Sequence, residues 1–425
     1  MSDLLKVDPN LELMTVEHKS PAPKPIKSEA PKLKRVARPV RHIKYIPVKS
    51  LYFHTKQGPI DFTYEKKIKN PIPKNKLVVE VKYVALNPID LKIKNGYASA
   101  IYGEIGLGRE YSGVVTQVGS KLEDYWSVGD EVYGVYYHPH LANGAGASSL
   151  LIDPSIDAIL PRPPTLAPQE AAGSLWCLGT AYSIMHYLQK YKYLDSESNV
   201  LINGGTTSVG LFMIQLLKYH LNLKKKIVIV TSGDNSDYIM EKFPDIAEEM
   251  IFINYLTCRG KSSGPLTQMI KDQRIVDYDD GKGEVTIPYT EGKFDVVLDF
   301  VGGYDIVAHS KDLIKSRGAY ITTVGDYVSN YKEDIFNSWD NPSANARKMF
   351  SSMLWSFHYQ HFYFDPNAKL ASKSDWINKC GELLESGIVK CVVDKQFNWK
   401  KSKEAFAYMA TQRARGKIIL EVEKF

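Results

Sequence analysis

Gly204, Gly205 and Gly210 stand within SNVLINGGTTSVGLFMIQLLK, Ser198 to Lys218, at the spacing a chain needs to turn sharply from a buried strand into a helix. Val200, Leu201 and Ile202 form the continuous apolar run of a central parallel strand, and Val209, Phe212, Met213, Leu216 and Leu217 recur at helical spacing. Unpaired amides open such a helix, and they suit a pyrophosphate lying over the turn. The candidate cofactor-binding residues are therefore Gly204, Gly205, Thr206, Thr207, Ser208, Val209 and Gly210. Thr207 takes the middle position of a G-x-x-G-x-x-G pattern and Ser208 follows it, so side chains stand where a dinucleotide usually meets bare backbone. Two readings stay open here: the hydroxyls donate to phosphate, or the fold is kept and the site is not.

The ribose end is read from the next strand, Lys226 to Thr231. An acid at its end would accept the ribose hydroxyls of NAD, whereas a cation nearby would suit the 2′-phosphate of NADPH. Thr231 and Ser232 hold that place, followed by Gly233, Asp234, Asn235, Ser236 and Asp237. No acid ends the strand and two carboxylates oppose the phosphate. The expectation is no cofactor, or weakly held NADPH.

Metal chemistry has little to work with. His138 and His140 flank a proline, and His358 and His361 fall three apart in an aromatic stretch; neither pair is a full ligand set. Cys177, Cys258, Cys380 and Cys391 have no C-x-x-C spacing, read as small buried hydrophobes and suit a reducing cytosolic setting.

The elements that must position these residues divide the chain. At 425 residues it exceeds one ordinary core, and 44% hydrophobic with 24% charged residues describes a globular protein. The net charge of +6 does not demand nucleic acid. From Lys19 to Lys44, Lys19, Lys24, Lys27, Lys32, Lys34, Arg35, Arg38, Arg41 and Lys44 are spaced by prolines and opposed by Glu29 alone. Proline this frequent prevents helix and sheet, so residues 19–44 read as an extended cationic tail: a solvated linker, or a tether for an anionic membrane face or acidic partner. MSDLLKVDPNLELMTVEHK lacks a basic leader followed by an apolar core and is not expected to be a signal peptide. With no apolar run of about 18 residues, membrane contact is expected to be peripheral.

Beyond Pro47 short alternating runs such as Leu77 to Tyr83, Gly113 to Gly119 and Val128 to Gly134 predict a β-rich unit. A helix over Gln169 to Leu188 leads into strand-helix alternation. Met250 to Asn254, Phe294 to Val301 and Ala319 to Val324 read as further buried strands of a doubly wound parallel sheet. Two excursions interrupt it: polar Thr257 to Gly292, and Tyr327 to Lys373, whose aromatic content from Met349 to Phe364 reads as core, lid, oligomer contact or client surface. A helix from about Asp375, strand Val389 to Val393, helix Ser402 to Thr411 and strand Ile418 to Val422 complete the chain.

Asn87-Pro88-Ile89-Asp90, Gly108-Arg109-Glu110-Tyr111-Ser112-Gly113, Val128-Gly129-Asp130, Ala171-Ala172-Gly173, Gly179-Thr180-Ala181-Tyr182 and Gly416-Lys417 resemble the zinc-free, quinone-oxidoreductase branch of the medium-chain dehydrogenases. The resemblance implies an α/β fold: a GroES-like β-rich domain over 47–175, completed by 374–425, and a Rossmann doubly wound parallel sheet over 176–373 with insertions, after a tail over 1–46. Zinc-dependent relatives carry ligands where this chain has Asn87, Arg109 and the neighbourhood of Trp176; asparagine and tryptophan are poor ligands and a guanidinium repels a cation, so no zinc is expected. By the same resemblance Asn87 and Tyr97 would lie beside a nicotinamide ring; the alternative is a turn asparagine and a surface tyrosine. ARPVRHIKYIPVKSL, FINYLTCRGKSS and VGDYVSNYKEDIFNSWDNPSANARKMFSSMLW are similar to the fungal Ast proteins. That similarity implies a peripheral, raft-associated factor on the cytoplasmic face of the secretory pathway and plasma membrane. It would assist delivery of the plasma-membrane proton ATPase, as a homo-oligomer with little or no catalysis. An NADPH-dependent quinone or enone reductase is the alternative.

Overall fold

The computed structural model describes residues 44–56, 58–96, 104–138, 143–279, 283–334, 342–354, 356–366 and 376–422. Most of the basic tail, Tyr97, His140 and Trp355 lie outside the described residues.

Six parallel strands form one sheet in the order Met250–Asn254, Ile227–Thr231, Val200–Asn203, Phe294–Asp299, Ile314–Thr322 and His358–His361. Strand order reverses beside Val200–Asn203, so that strand's carboxyl end opens onto the crevice where such sheets take ligands. Val200, Leu201, Ile202, Ile227, Val228 and Ile229 are fully buried, as the unbroken apolar runs require of strands covered on both faces.

The β-rich unit centres on Leu77–Leu86, which pairs antiparallel with Glu110–Val118 on one side and Lys417–Glu421 on the other. A strand from the end of the chain thus sits in the middle of the first sheet. Lys44–Phe53 and Asp61–Asn70 form a separate ribbon extended by Ile105–Gly106.

Several expected boundaries move, each for a local reason. The helix expected over Gln169 to Leu188 is two, Pro168–Ala172 and Leu175–Lys190, broken at Gly173 and Ser174. A Cβ on Gly173 would stand 3.1 Å from Cys391 Sγ and from Lys417 Cγ, so the break lets the last strand approach closely. Val128 to Asp130 is a turn rather than strand, with Gly129 at φ +99°. Val389 to Cys391 is not strand: Gln215 donates to Lys390 O at 3.0 Å and accepts Lys390 N at 2.7 Å, and the strand begins only at Val393. The polar excursion holds a helix, Ser263–Asp272, and a hairpin of Arg274–Asp279 with Gly283–Pro288.

The aromatic excursion supplies the sixth strand of the parallel sheet, His358–His361. Tyr359 is fully buried and stacks on Tyr320 at 5.6 Å, so part of this aromatic density is core, whereas Met349 is 73% exposed.

Candidate functional site

A cleft of about 550 Å³ runs between the two units, over the carboxyl end of Val200–Asn203. Thr207, Ser208 and Val209 of the glycine turn line it on one side, and its walls are largely apolar: Tyr137, Trp176, Phe300, Val324, Phe362 and Phe364. Trp176 meets Tyr137 edge-on at 5.1 Å and Phe364 at 6.2 Å, which fixes the indole in the wall.

The turn is held from within. Gly204 has φ +94°, and a Cβ there would stand 2.5 Å from Val301; a Cβ on Gly210 would stand 2.4 Å from Gly204 O. Glycine is thus demanded by packing at both places whether or not anything binds. Thr207 is the N-cap of the helix Ser208–Gln215: its hydroxyl accepts the Gly210 amide at 3.0 Å and donates to Gly204 O at 2.8 Å. The hydroxyl expected either to meet phosphate or to crowd it is spent on the turn itself, and one of the amides a pyrophosphate would use is already occupied. The amides of Ser208 and Val209 keep no partner among the described residues, and both residues line the cleft. These two amides fit one phosphate group.

Thr231 is 4% exposed at the end of its strand. Beyond it Asn235 donates to Ser232 Oγ at 2.6 Å and to Thr206 Oγ1 at 3.3 Å, so the ribose end is also internally bonded. Asp234 and Asp237 are exposed. Asn254 Oδ1 accepts the Gly233 amide at 3.0 Å, which brings alongside a loop carrying Arg259 and Lys261, cations not visible from the Ser232 segment alone.

Where zinc-dependent relatives would place metal ligands, the chain holds a buried ammonium. Lys417 Nζ lies 2.6 Å from Glu110 Oε2 and 2.7 Å from Asn87 Oδ1, with Cys177 Sγ at 3.7 Å. Asn87 Nδ2 donates to Glu110 Oε2 at 2.8 Å, and Glu110 Oε1 accepts the Trp176 amide at 2.6 Å. Asn87 Oδ1 is taken by Lys417 and one Nδ2 hydrogen by Glu110, so this cluster fixes the side chain where it lines the cleft. Burial pulls the Lys417 ammonium toward the neutral form, but the Cys177 sulfur and the Glu110 carboxylate more than offset it and hold the pKa above the lysine range. Burial likewise pushes the Cys177 thiol up to about 11 against the pull of Lys417, so at neutral pH it is an uncharged thiol and Glu110 is the partner that matters.

Arg109 and Trp176 do other work. The Arg109 guanidinium donates to the carbonyls of Gly106, Gly108 and Asn143 at 2.9–3.0 Å and lies 3.6 Å from Asp90. No group of three or more His, Cys, Asp or Glu could hold a metal among the described residues. His138 pairs with Asp157, and His358 accepts or donates a hydrogen bond with Tyr187 at 2.8 Å. His361, 3% exposed, lines the cleft, its Nδ1 3.1 Å from the Tyr363 hydroxyl. Burial, then Lys348 and Lys92, lower its pKa to about 4. Sequence reasoning assigned no role to Lys417 or Glu110 beyond their motifs, and the signal that could have found them is two opposite charges inside otherwise apolar strands.

Comparisons with known proteins agree with this geometry. Residues 73–149 match the family described as alcohol dehydrogenase GroES-like domain, and residues 272–420 match the family described as zinc-binding dehydrogenase. The fold is similar to the quinone oxidoreductase from Coxiella burnetii, with a TM-score of 0.62 at 19% identity over 89% of this chain and 100% of that one. In sequence the chain is 66% identical to Protein AST1 of Saccharomyces cerevisiae, over 100% of this chain and 99% of that protein. It is 63% identical to Protein AST2 of the same yeast, over 98% of each. The chain belongs to the fungal Ast family, built on the medium-chain dehydrogenase/reductase fold.

Proposed function

We propose that this chain is a peripheral, membrane-associated factor that assists delivery of a plasma-membrane client, the proton ATPase by family resemblance. The dehydrogenase fold serves as scaffold, with little or no catalysis. The observation that carries the second half is the Thr207 hydroxyl on the Gly210 amide: the phosphate turn satisfies part of itself and stands without a cofactor. Asn235 bonded across Ser232 and Thr206 supports the same reading at the ribose end. The cationic residues 19–44 support attachment to the cytoplasmic face of the membrane. By the same family resemblance the chain works as a homo-oligomer. Among the described residues no helix is long and apolar enough to cross a membrane.

The test is delivery of the proton ATPase in cells lacking the chain. The ATPase should accumulate inside, and both the unaltered chain and Ser208→Trp, which fills the phosphate position, should restore it. Normal delivery without the chain would overturn the client role. Failure of a folded Ser208→Trp chain alone would overturn the scaffold role.

The second reading is an NADPH-dependent quinone or enone reductase, favoured by the apolar cleft beside two open amides. NADPH would supply the hydride there. Ser208 and Val209 would hold its phosphate, and Trp176, Tyr137 and Phe364 would exclude water from the acceptor.

A further inference from the structure

Charge is unevenly divided along the chain: residues 1–96 hold 20 Lys and Arg against nine Asp and Glu, whereas the remainder holds 34 against 39. The fold gathers part of that excess at one end of the GroES-like unit. The ribbon pairs Lys44 with Asn70, Tyr45 with Lys69 and Pro47 with Lys67, and Tyr45, Lys67 and Lys69 are exposed. From Asn70 the chain passes through Pro71, Ile72 and Pro73 to Lys74, whose carbonyl accepts the Lys121 amide at 2.8 Å. Lys76 O accepts the Gly119 amide at 2.8 Å, so the turn from Lys121 to Asp130 is pinned beside the ribbon's end.

That turn is well defined. Leu122 and Trp126 pack inward on the core, and the Asp130 carboxylate accepts the Ser127 amide at 2.8 Å. What it leaves outside is apolar: Tyr125 is 79% exposed and Val128 68%, with Tyr45 52% exposed on the neighbouring ribbon. The same ribbon end and turn carry the exposed Lys44, Lys67, Lys69, Lys74 and Lys121, against the exposed acids Glu65, Glu123, Asp124 and Glu131.

We propose that this end of the folded body is a second membrane-contact site, seated on the headgroups of an anionic phospholipid bilayer and acting with the tail. The inference rests on the membrane-associated reading above and adds that the folded unit meets the membrane in a fixed orientation. Charge complementarity selects the occupant: basic side chains near an acidic leaflet are favourable, and isolated aromatic and aliphatic tips suit the headgroup level. A protein partner would ask for a larger continuous apolar patch than Tyr125, Val128 and Tyr45 offer among charges. The cationic segment 19–44 runs in sequence straight into the first strand at Lys44. Tail and tip therefore share one attachment point, and each raises the effective concentration of the other at the surface.

Flotation of the purified full chain with vesicles of phosphatidylserine and phosphatidylcholine in equal parts tests this. Lys67→Glu, Lys69→Glu and Lys74→Glu together, with the tail intact, should weaken partitioning by about tenfold or more at physiological salt. Reversal of the exposed Lys226, Lys271 and Lys311 on the other unit should leave it within about twofold. Tyr125→Ser with Val128→Ser should also lower recovery and leave the melting temperature unchanged. Equal recovery of the two triple variants, whether both high or both low, overturns the tip and leaves the tail or net charge as the attachment. If the unaltered chain fails to float even at low salt, the membrane reading itself falls and the tip with it.

Discussion

Lys417 Nζ and Glu110 Oε2 lie 2.6 Å apart, both side chains at most 2% exposed, and join residues 307 positions apart in the chain. The pair ties the last strand to the strand Glu110–Val118, and through Glu110 Oε1 to the first turn of the helix carrying Trp176. Lys417→Met leaves a buried carboxylate without its cation and should lower stability by about 3–5 kcal/mol, whereas adding Glu110→Gln should recover a large part of the loss. Denaturant unfolding of the two single variants and the double variant measures this. Additive losses would mean the two charges are not partners.

His361 sets a pH dependence. Its folded pKa, about 4, is below the 6.5 of an unperturbed histidine, so the unfolded chain binds the extra proton first. Its contribution is full above about pH 6.5 and is lost as pH falls toward 4, on the order of 3 kcal/mol in all. His361→Gln should flatten that part of the stability profile while leaving the region above pH 7 unchanged in slope.

Gly210→Ala should destabilise the chain by about 1–3 kcal/mol, since the new methyl meets the Gly204 carbonyl at 2.4 Å. The loss should appear in thermal unfolding with no nucleotide present. A neutral Gly210→Ala would mean that this glycine is kept for a ligand rather than for packing.

Thr207→Gly removes the hydroxyl from the Gly210 amide and frees that donor at the helix start. Glycine is itself an acceptable N-cap, so stability should fall by only a few tenths of a kcal/mol, about 0.3. Affinity for NADPH should rise, read by calorimetry. Tighter binding would assign the weakness of the site to the cap, and unchanged binding would move it to the ribose end.

The parallel sheet was legible because its strands are unbroken apolar runs, of which Met250–Asn254 was placed to the residue. His358–His361 was not, since HYQH carries no such run and is a strand through its pairing with Ile314–Thr322. The glycines of the turn could be read, but not that Gly204 and Gly210 are fixed by Val301 and by each other. Asn87 was singled out by its motif, yet its partners lie 23 and 330 positions away, and spacing along a chain carries no information about such contacts.

As a retained scaffold, the cleft would keep a phosphate turn already partly satisfied by Thr207. Calorimetric titration of the purified chain with NADPH, followed by assay of quinone and enone reduction, tests it most directly. The expected result is binding weaker than about 100 μM, that is, less than about 5.5 kcal/mol, with no turnover above the uncatalysed rate. Micromolar binding accompanied by turnover of either acceptor would contradict it.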